Sequence, residues 1–181
     1  MKFRILAATS AAIGLLSGGF AMADETKADA KASKAVAAES WVKKAAQGGM
    51  AEVGLGKLAQ KRAQSDAVKQ YAKHMVEDHN KANDKLMKLA DQEGIVPPSQ
   101  PAPKYMAKKK ELMEASGADF DRMYMDSQIE DHKEMIALFE QGAKNNKGPL
   151  KAYASKTLPK LKQHLKMAQN VQGKASKSAR K

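Results

Sequence analysis

No cysteine occurs anywhere in the chain. Disulfides, thiolate metal sites, cysteine nucleophiles and a lipid anchor on cysteine are therefore all excluded. Aromatic residues are only 5% of the 181 residues, with a single tryptophan, and there is no glycine-rich phosphate loop or nucleophile elbow. Acidic residues are scarce against basic ones, 20 to 32, and the formal charge is +12. Nowhere does an apolar residue alternate with a polar one over a strand's length, so the chain is expected to be all-α.

The one long apolar run lies at the N-terminus. Lys2 and Arg4 precede the small and apolar stretch from Ile5 to Phe20, and Ala21-Met22-Ala23 is a small-x-small cleavage site. Residues 1–23 thus read as a secretory signal peptide, and the run is too short and too rich in Ala, Gly and Ser for a retained membrane span. Its removal takes two basic residues away, so the mature chain carries +10. The expected location is periplasmic or secreted, with no transmembrane segment in the mature chain. Nucleic acid is not an expected partner there, whereas anionic envelope surfaces are.

Residues 24–38 mix Ala, Lys and Asp without a large apolar side chain and are expected to form a flexible linker, with partial helix as the alternative because Ala and Lys are good helix formers. Residues 39–172 make the folded domain, and the basic stretch 173–181 is expected to be a disordered tail. Within the domain four long helical patterns stand out. The first runs from Ser40, a candidate N-cap, through Trp41, Val42, Ala45, Glu52, Leu55 and Ala59 to about Ala63, with Gly48-Gly49 marking a kink or a close helix approach. The second spans Asp66 to about Asp91, the third Asp119 to about Gln141, and the fourth Pro149 to about Val171, with a bend at Pro159. A short basic amphipathic piece, Lys104 to Glu114, is expected to cover one end of the bundle. Tight turns join the first two helices and the last two, whereas about 25 residues separate the second from the third. That link crosses the length of a bundle and makes the second and third helices parallel neighbours.

The sequence Glu77-Asp78-His79 recurs as Glu130-Asp131-His132, midway along the second and third helices. Each histidine falls on the apolar stripe of its helix: Val68, Tyr71, Ala72, Met75, His79, Ala82 and Leu86 in one, and Met125, Ile129, His132, Ile136 and Phe139 in the other. On the fourth helix the stripe of Leu150, Tyr153, Ala154, Thr157, Leu161, His164 and Ala168 carries a third inward histidine, several residues off the common level when counted from the helix start. Glu52 is the acid nearest the first helix's stripe. These four form a candidate metal set of Glu52, His79, His132 and His164, with Asp78 and Asp131 as groups behind the ligands. Imidazole and carboxylate suit a transition-metal ion such as zinc, copper or iron. The alternative is that each histidine bonds a buried partner and specifies helix pairing. Met123, Met125 and Met135 on the third helix are expected to fill the core rather than bind copper(I).

The run Ala51-Glu52-Val53-Gly54-Leu55-Gly56, the two Asp-His pairs, Phe120-Asp121-x-x-Tyr124, and Leu158-Pro159-x-Leu161-x-x-His164-Leu165 resemble the bacterial family called domain of unknown function 4142. The resemblance covers about Ser40 to Val171. It implies a ferritin-like four-helix bundle, exported, with no established activity, and suggests a metal. Di-iron bundles place Glu-x-x-His on two helices. Here Val76, Ile129 and Leu161 occupy the position three before each histidine, so bridging carboxylates are missing. Ferroxidase, catalase or oxygenase chemistry is accordingly not expected; binding without turnover is, the alternative being a metal-free envelope or stress-related protein that contacts anionic surfaces.

Overall fold

The computed structural model describes residues 22–178, and the side-chain surroundings of 29–174 within them. The described residues contain five helices joined by short links and one long crossover: α1 (Met22–Arg62), α2 (Asp66–Gln92), α3 (Pro103–Glu114), α4 (Gly117–Asn145) and α5 (Gly148–Ser178). No strand occurs among them. Residues up to Ser33 group as one unit and Lys34–Lys181 as another. The bundle belongs to the second. The signal-peptide reading falls on residues 1–23, of which 1–21 lie outside the described residues.

Two stretches expected to be irregular are helical. The segment 24–38 belongs to α1, and 173–178 belongs to α5. The first is rich in alanine and lysine, among the strongest helix formers, and no glycine or proline interrupts the chain between Asp24 and Gln47; the second continues α5 through Lys174, Ala175 and Lys177. Ser40 is therefore an interior residue of α1, not its cap. α4 also runs past Gly142 to Asn145.

Contacts between named side chains establish the order of the helices. Trp41 of α1 donates its indole N–H to the Leu138 carbonyl of α4 at 2.9 Å. Tyr153 of α5 donates to the Ala82 carbonyl of α2 at 3.0 Å, and Phe139 of α4 meets Tyr153 at 5.9 Å between ring centroids. α1 approaches α2 at Gly56, where an added Cβ would stand 2.8 Å from Val76 Cγ2. The four sides of the bundle are thus α1–α2, α2–α5, α5–α4 and α4–α1. α2 and α4 are diagonal, not neighbours as the crossover argument had it. They do run parallel: Tyr71 faces Tyr124, and eight residues further along both helices His79 faces His132.

Glycine makes two of these approaches possible. A side chain at Gly48 would meet Met135, and one at Gly142 would meet the Trp41 indole. The Gly48-Gly49 signal therefore marks close packing within an unbroken α1, and Gly142 marks a seat for Trp41 instead of a turn. At the end of α2, Gly94 (φ 67°) adopts the left-handed conformation, and the amides of Gly94 and Ile95 return to the carbonyls of Asp91 and Ala90. This is a Schellman stop, which frees the chain for the crossover.

α3 does not cap the bundle's end. It lies along the side over α1 and α4, where Lys104 pairs with Glu134, Lys108 with Glu130 and Asp131, and Leu112 is buried. Two apolar clusters fill the core. One gathers Trp41, Val42, Leu86, Phe139, Leu150 and Tyr153; the other gathers Leu55, Val68, Tyr71, Leu112, Phe120 and Tyr124. Between them lies a polar layer.

Candidate metal centre

His79, His132 and His164 meet in that layer, at 5%, 1% and 2% exposure. Their ring centroids stand 5.3–5.6 Å apart in every pairing. One ring nitrogen from each lies within 4.8 Å of the other two. The sequence count placed His164 off this level because it ended α4 at Gln141. With α4 reaching Asn145, His132 lies 13 residues before its end and His164 16 residues after Gly148. That difference is less than one helical turn.

Hydrogen bonds decide which nitrogens remain free. His132 Nδ1 lies 2.8 Å from the Gln128 carbonyl, an acceptor only, so Nδ1 carries the proton and Nε2 the lone pair. His164 Nε2 lies 2.9 Å from Asp78 Oδ2 and donates to it, which leaves the lone pair on Nδ1. His132 Nε2, His164 Nδ1 and His79 Nε2 are all buried and have no hydrogen-bond partner in the protein. Burial holds each ring neutral. It pushes His132 down to about 4 with help from His164, drives His79 well below its ordinary value with help from its two neighbours, and lowers His164 against the pull of Asp78.

Glu52 is buried in the same layer but stands behind His132. Its Oε2 accepts from Gln128 Nε2 at 2.7 Å, and Oε1 lies 3.7 Å from His132 Nδ1. Burial first, and Asp131 second, raise the carboxyl to about 8, so at neutral pH it is protonated beside a neutral imidazole. The pair carries no ionic bond. Glu52 thus sits beside the protonated edge of His132 and is not among the residues whose ligand atoms meet.

The two aspartates part company. Asp78 bonds His164, not its neighbour His79, and Lys160 approaches the same oxygen at 3.4 Å. Although partial burial acts against it, these two partners hold its carboxyl below the usual range. Asp131 accepts from Lys108 of α3 at 2.9 Å and bonds no histidine. A cavity of about 30 Å³ reaches His79 and His164 from the side, bordered by Asp78, Asn83, Thr157 and Lys160. It holds about one water-sized body.

Sequence reasoning missed two residues that matter here. Gln128 fixes both Glu52 and His132, and its position four before His132 on the same face was the available signal. Asp121 accepts the backbone amides of Gln64 and Ser65 at 3.0 and 2.7 Å, holding the α1–α2 turn against α4. Nothing local in the sequence shows that.

The family model of the domain of unknown function DUF4142 matches residues 21–171, and the chain belongs to that family. No curated protein matches the sequence. Among solved structures the chain is similar in fold to a DUF305 protein from Streptomyces coelicolor, with TM-score 0.67 and 12% identity over 77% of this chain and 92% of that one. It is likewise similar to a DUF305 fragment from Deinococcus radiodurans, with TM-score 0.68 and 13% identity over 76% of this chain and 95% of that one. No helix among the described residues is long and apolar enough to cross a membrane.

Proposed function

We propose that this protein is an exported helical bundle that binds one transition-metal ion through His79, His132 and His164, without turnover. One observation carries the reading: three buried imidazoles each bring a ring nitrogen within 4.8 Å of the other two, and each ring keeps one buried nitrogen without a hydrogen-bond partner. Leaving a buried polar atom unpaired costs about 1–3 kcal/mol, so three at one place call for a ligand. A metal ion is the ligand that accepts three lone pairs at once. Gln128 and Asp78 hold two of the rings in the tautomer that offers the lone pair inward, as second partners of metal-bound histidines do. An ion about 2.0–2.1 Å from each nitrogen requires the three to stand closer together than the 4.8 Å within which they lie.

Three imidazoles are borderline ligands and serve zinc, copper and iron alike. The reading is of binding, because Val76, Ile129 and Leu161 stand where bridging-carboxylate motifs would need acids. Export rests on the N-terminal sequence, and the +10 charge of the mature chain supports contact with anionic envelope surfaces.

Calorimetric titration of the protein with zinc, copper(II) and iron(II) tests the site. One ion per chain is expected for at least one metal, with no binding in His79→Ala or His132→Ala. Stoichiometric binding that survives both substitutions rejects it.

A further inference from the structure

A second cavity, of about 700 Å³, opens between α1 and α3, away from the histidines. Its volume is in the range of small-molecule sites, roughly 300–1,000 Å³. Its wall is mostly apolar: Met50 and Leu55 from α1, Tyr105, Met106 and Met113 from α3. Among the described residues the exposed large hydrophobic side chains are Val36, Val96, Met106 and Met113. Two of the four border this one cavity, so the exposure is concentrated instead of scattered.

Gly54 supplies an independent observation. It lies inside α1, where glycine costs about 1 kcal/mol relative to alanine. Gly48, Gly49, Gly56 and Gly142 each have a close neighbour that a side chain would strike. Gly54 has none within 4 Å, and it lines the cavity. No neighbour forbids a side chain there, as none does at Gly173, and the glycine leaves this stretch of the cavity wall without side-chain bulk. At the rim stand Lys109 and Lys110, both exposed, which form no ion pair among the described residues, with Glu114 at the same rim. An apolar trough flanked by two uncommitted ammonium groups complements a molecule with an apolar chain and an anionic head.

We infer that this cavity binds a single-chain amphiphile with a carboxylate head, a long-chain fatty acid in chemical class. The chain lies against the flexible methionines, which adapt to an irregular apolar shape. The carboxylate meets Lys109 and Lys110 at the rim.

Calorimetric titration of the protein with monomeric dodecanoate, in the presence of a chelator, tests this apart from the metal site. Saturable binding of one dodecanoate per chain is expected. Gly54→Trp, which fills the cavity, should weaken it at least tenfold, and so should Met113→Glu, a change at an exposed position that leaves the fold intact. Lys109→Glu with Lys110→Glu should weaken dodecanoate at least tenfold while leaving dodecanol within about twofold. Absence of saturable binding, or affinity unchanged in Met113→Glu, overturns the site. Response to phosphatidylglycerol vesicles without response to monomeric dodecanoate also overturns it, in favour of a membrane surface.

Discussion

The segments Glu77-Asp78-His79 and Glu130-Asp131-His132 are the same tripeptide on two parallel helices, and half of each copy behaves alike. Both histidines point inward, lose solvent and stay neutral. The aspartates diverge. Asp78, on α2, faces α5 and takes His164 and Lys160; its carboxyl is held low. Asp131, on α4, faces α3 and takes Lys108; burial raises its carboxyl. The residue on the stripe is set by its own helix, because position on a 3.6-residue period determines burial. The residue at the stripe's edge is set by whichever element lies alongside. Identical local sequence therefore carries equivalent chemistry at one position and different chemistry at the next.

The half that is shared gives the largest expected effect. His79→Ala and His132→Ala should each lower metal affinity by at least about a hundredfold, beyond the upper end of what losing a group behind a ligand costs. His79→Leu should in addition raise the thermal midpoint of the metal-free protein, since it removes an unpartnered buried nitrogen and keeps apolar volume. A fall in that midpoint would mean that His79 makes a structural bond after all.

Acid sensitivity follows from the same rings. His132 titrates near 4 when folded and near 6.5 when unfolded, so below 6.5 the unfolded chain takes up the proton first. Stability of the metal-free protein should fall as pH drops from about 6.5 to 4, by about 3 kcal/mol for His132 alone. His79 and His164 are shifted in the same direction and steepen the loss. Glu52 acts on the other side: held protonated up to about 8 in the fold, it costs stability as pH rises from 4.5 to 8. Chemical denaturation across pH 4–9 should show a maximum near neutrality, with a shallower acid limb in His132→Leu.

The all-α class and the inward direction of the three histidines were legible in the sequence, since hydrophobic periodicity reports directly on which face is buried. The parallel course of α2 and α4 was legible too, from the length of the crossover. What could not be read was anything that depends on lateral order. Treating α2 and α4 as neighbours follows from loop length, yet Trp41 over Gly142 and Tyr153 on Ala82 put α1 and α5 between them. Glu52 looked like a ligand because it was the one acid near its stripe. Only the placement of Gln128 turns its carboxyl to the far edge of His132.

The half that differs gives smaller effects of two kinds. Asp78→Ala frees the His164 ring to turn and should lower metal affinity about 10–100-fold, with little change in the fold because Asp78 is partly exposed. Asp131→Ala should leave metal affinity within a few-fold. It should instead lower stability by about 1 kcal/mol, because Lys108 loses its shorter, buried partner and keeps only the exposed Glu130 at 3.3 Å, which loosens α3. Parallel titrations and urea melts of the two variants check this. Equal effects on affinity would show that the two copies are equivalent and that the contrast between them is wrong.

The smallest effect is expected at Glu52. A protonated carboxyl and a carboxamide present nearly the same shape, and Glu52 is held in the protonated form up to about 8. Glu52→Gln should therefore keep the contact with Gln128 and leave metal affinity within about threefold, since the convergent nitrogens belong to the three histidines. It should also flatten the alkaline limb of the stability profile, because no carboxyl remains to ionise on unfolding. A loss of metal affinity as large as that of His132→Ala would put Glu52 back among the ligands. It would mean that the carboxylate swings past the His132 ring when the ion arrives, at the cost of its bond to Gln128.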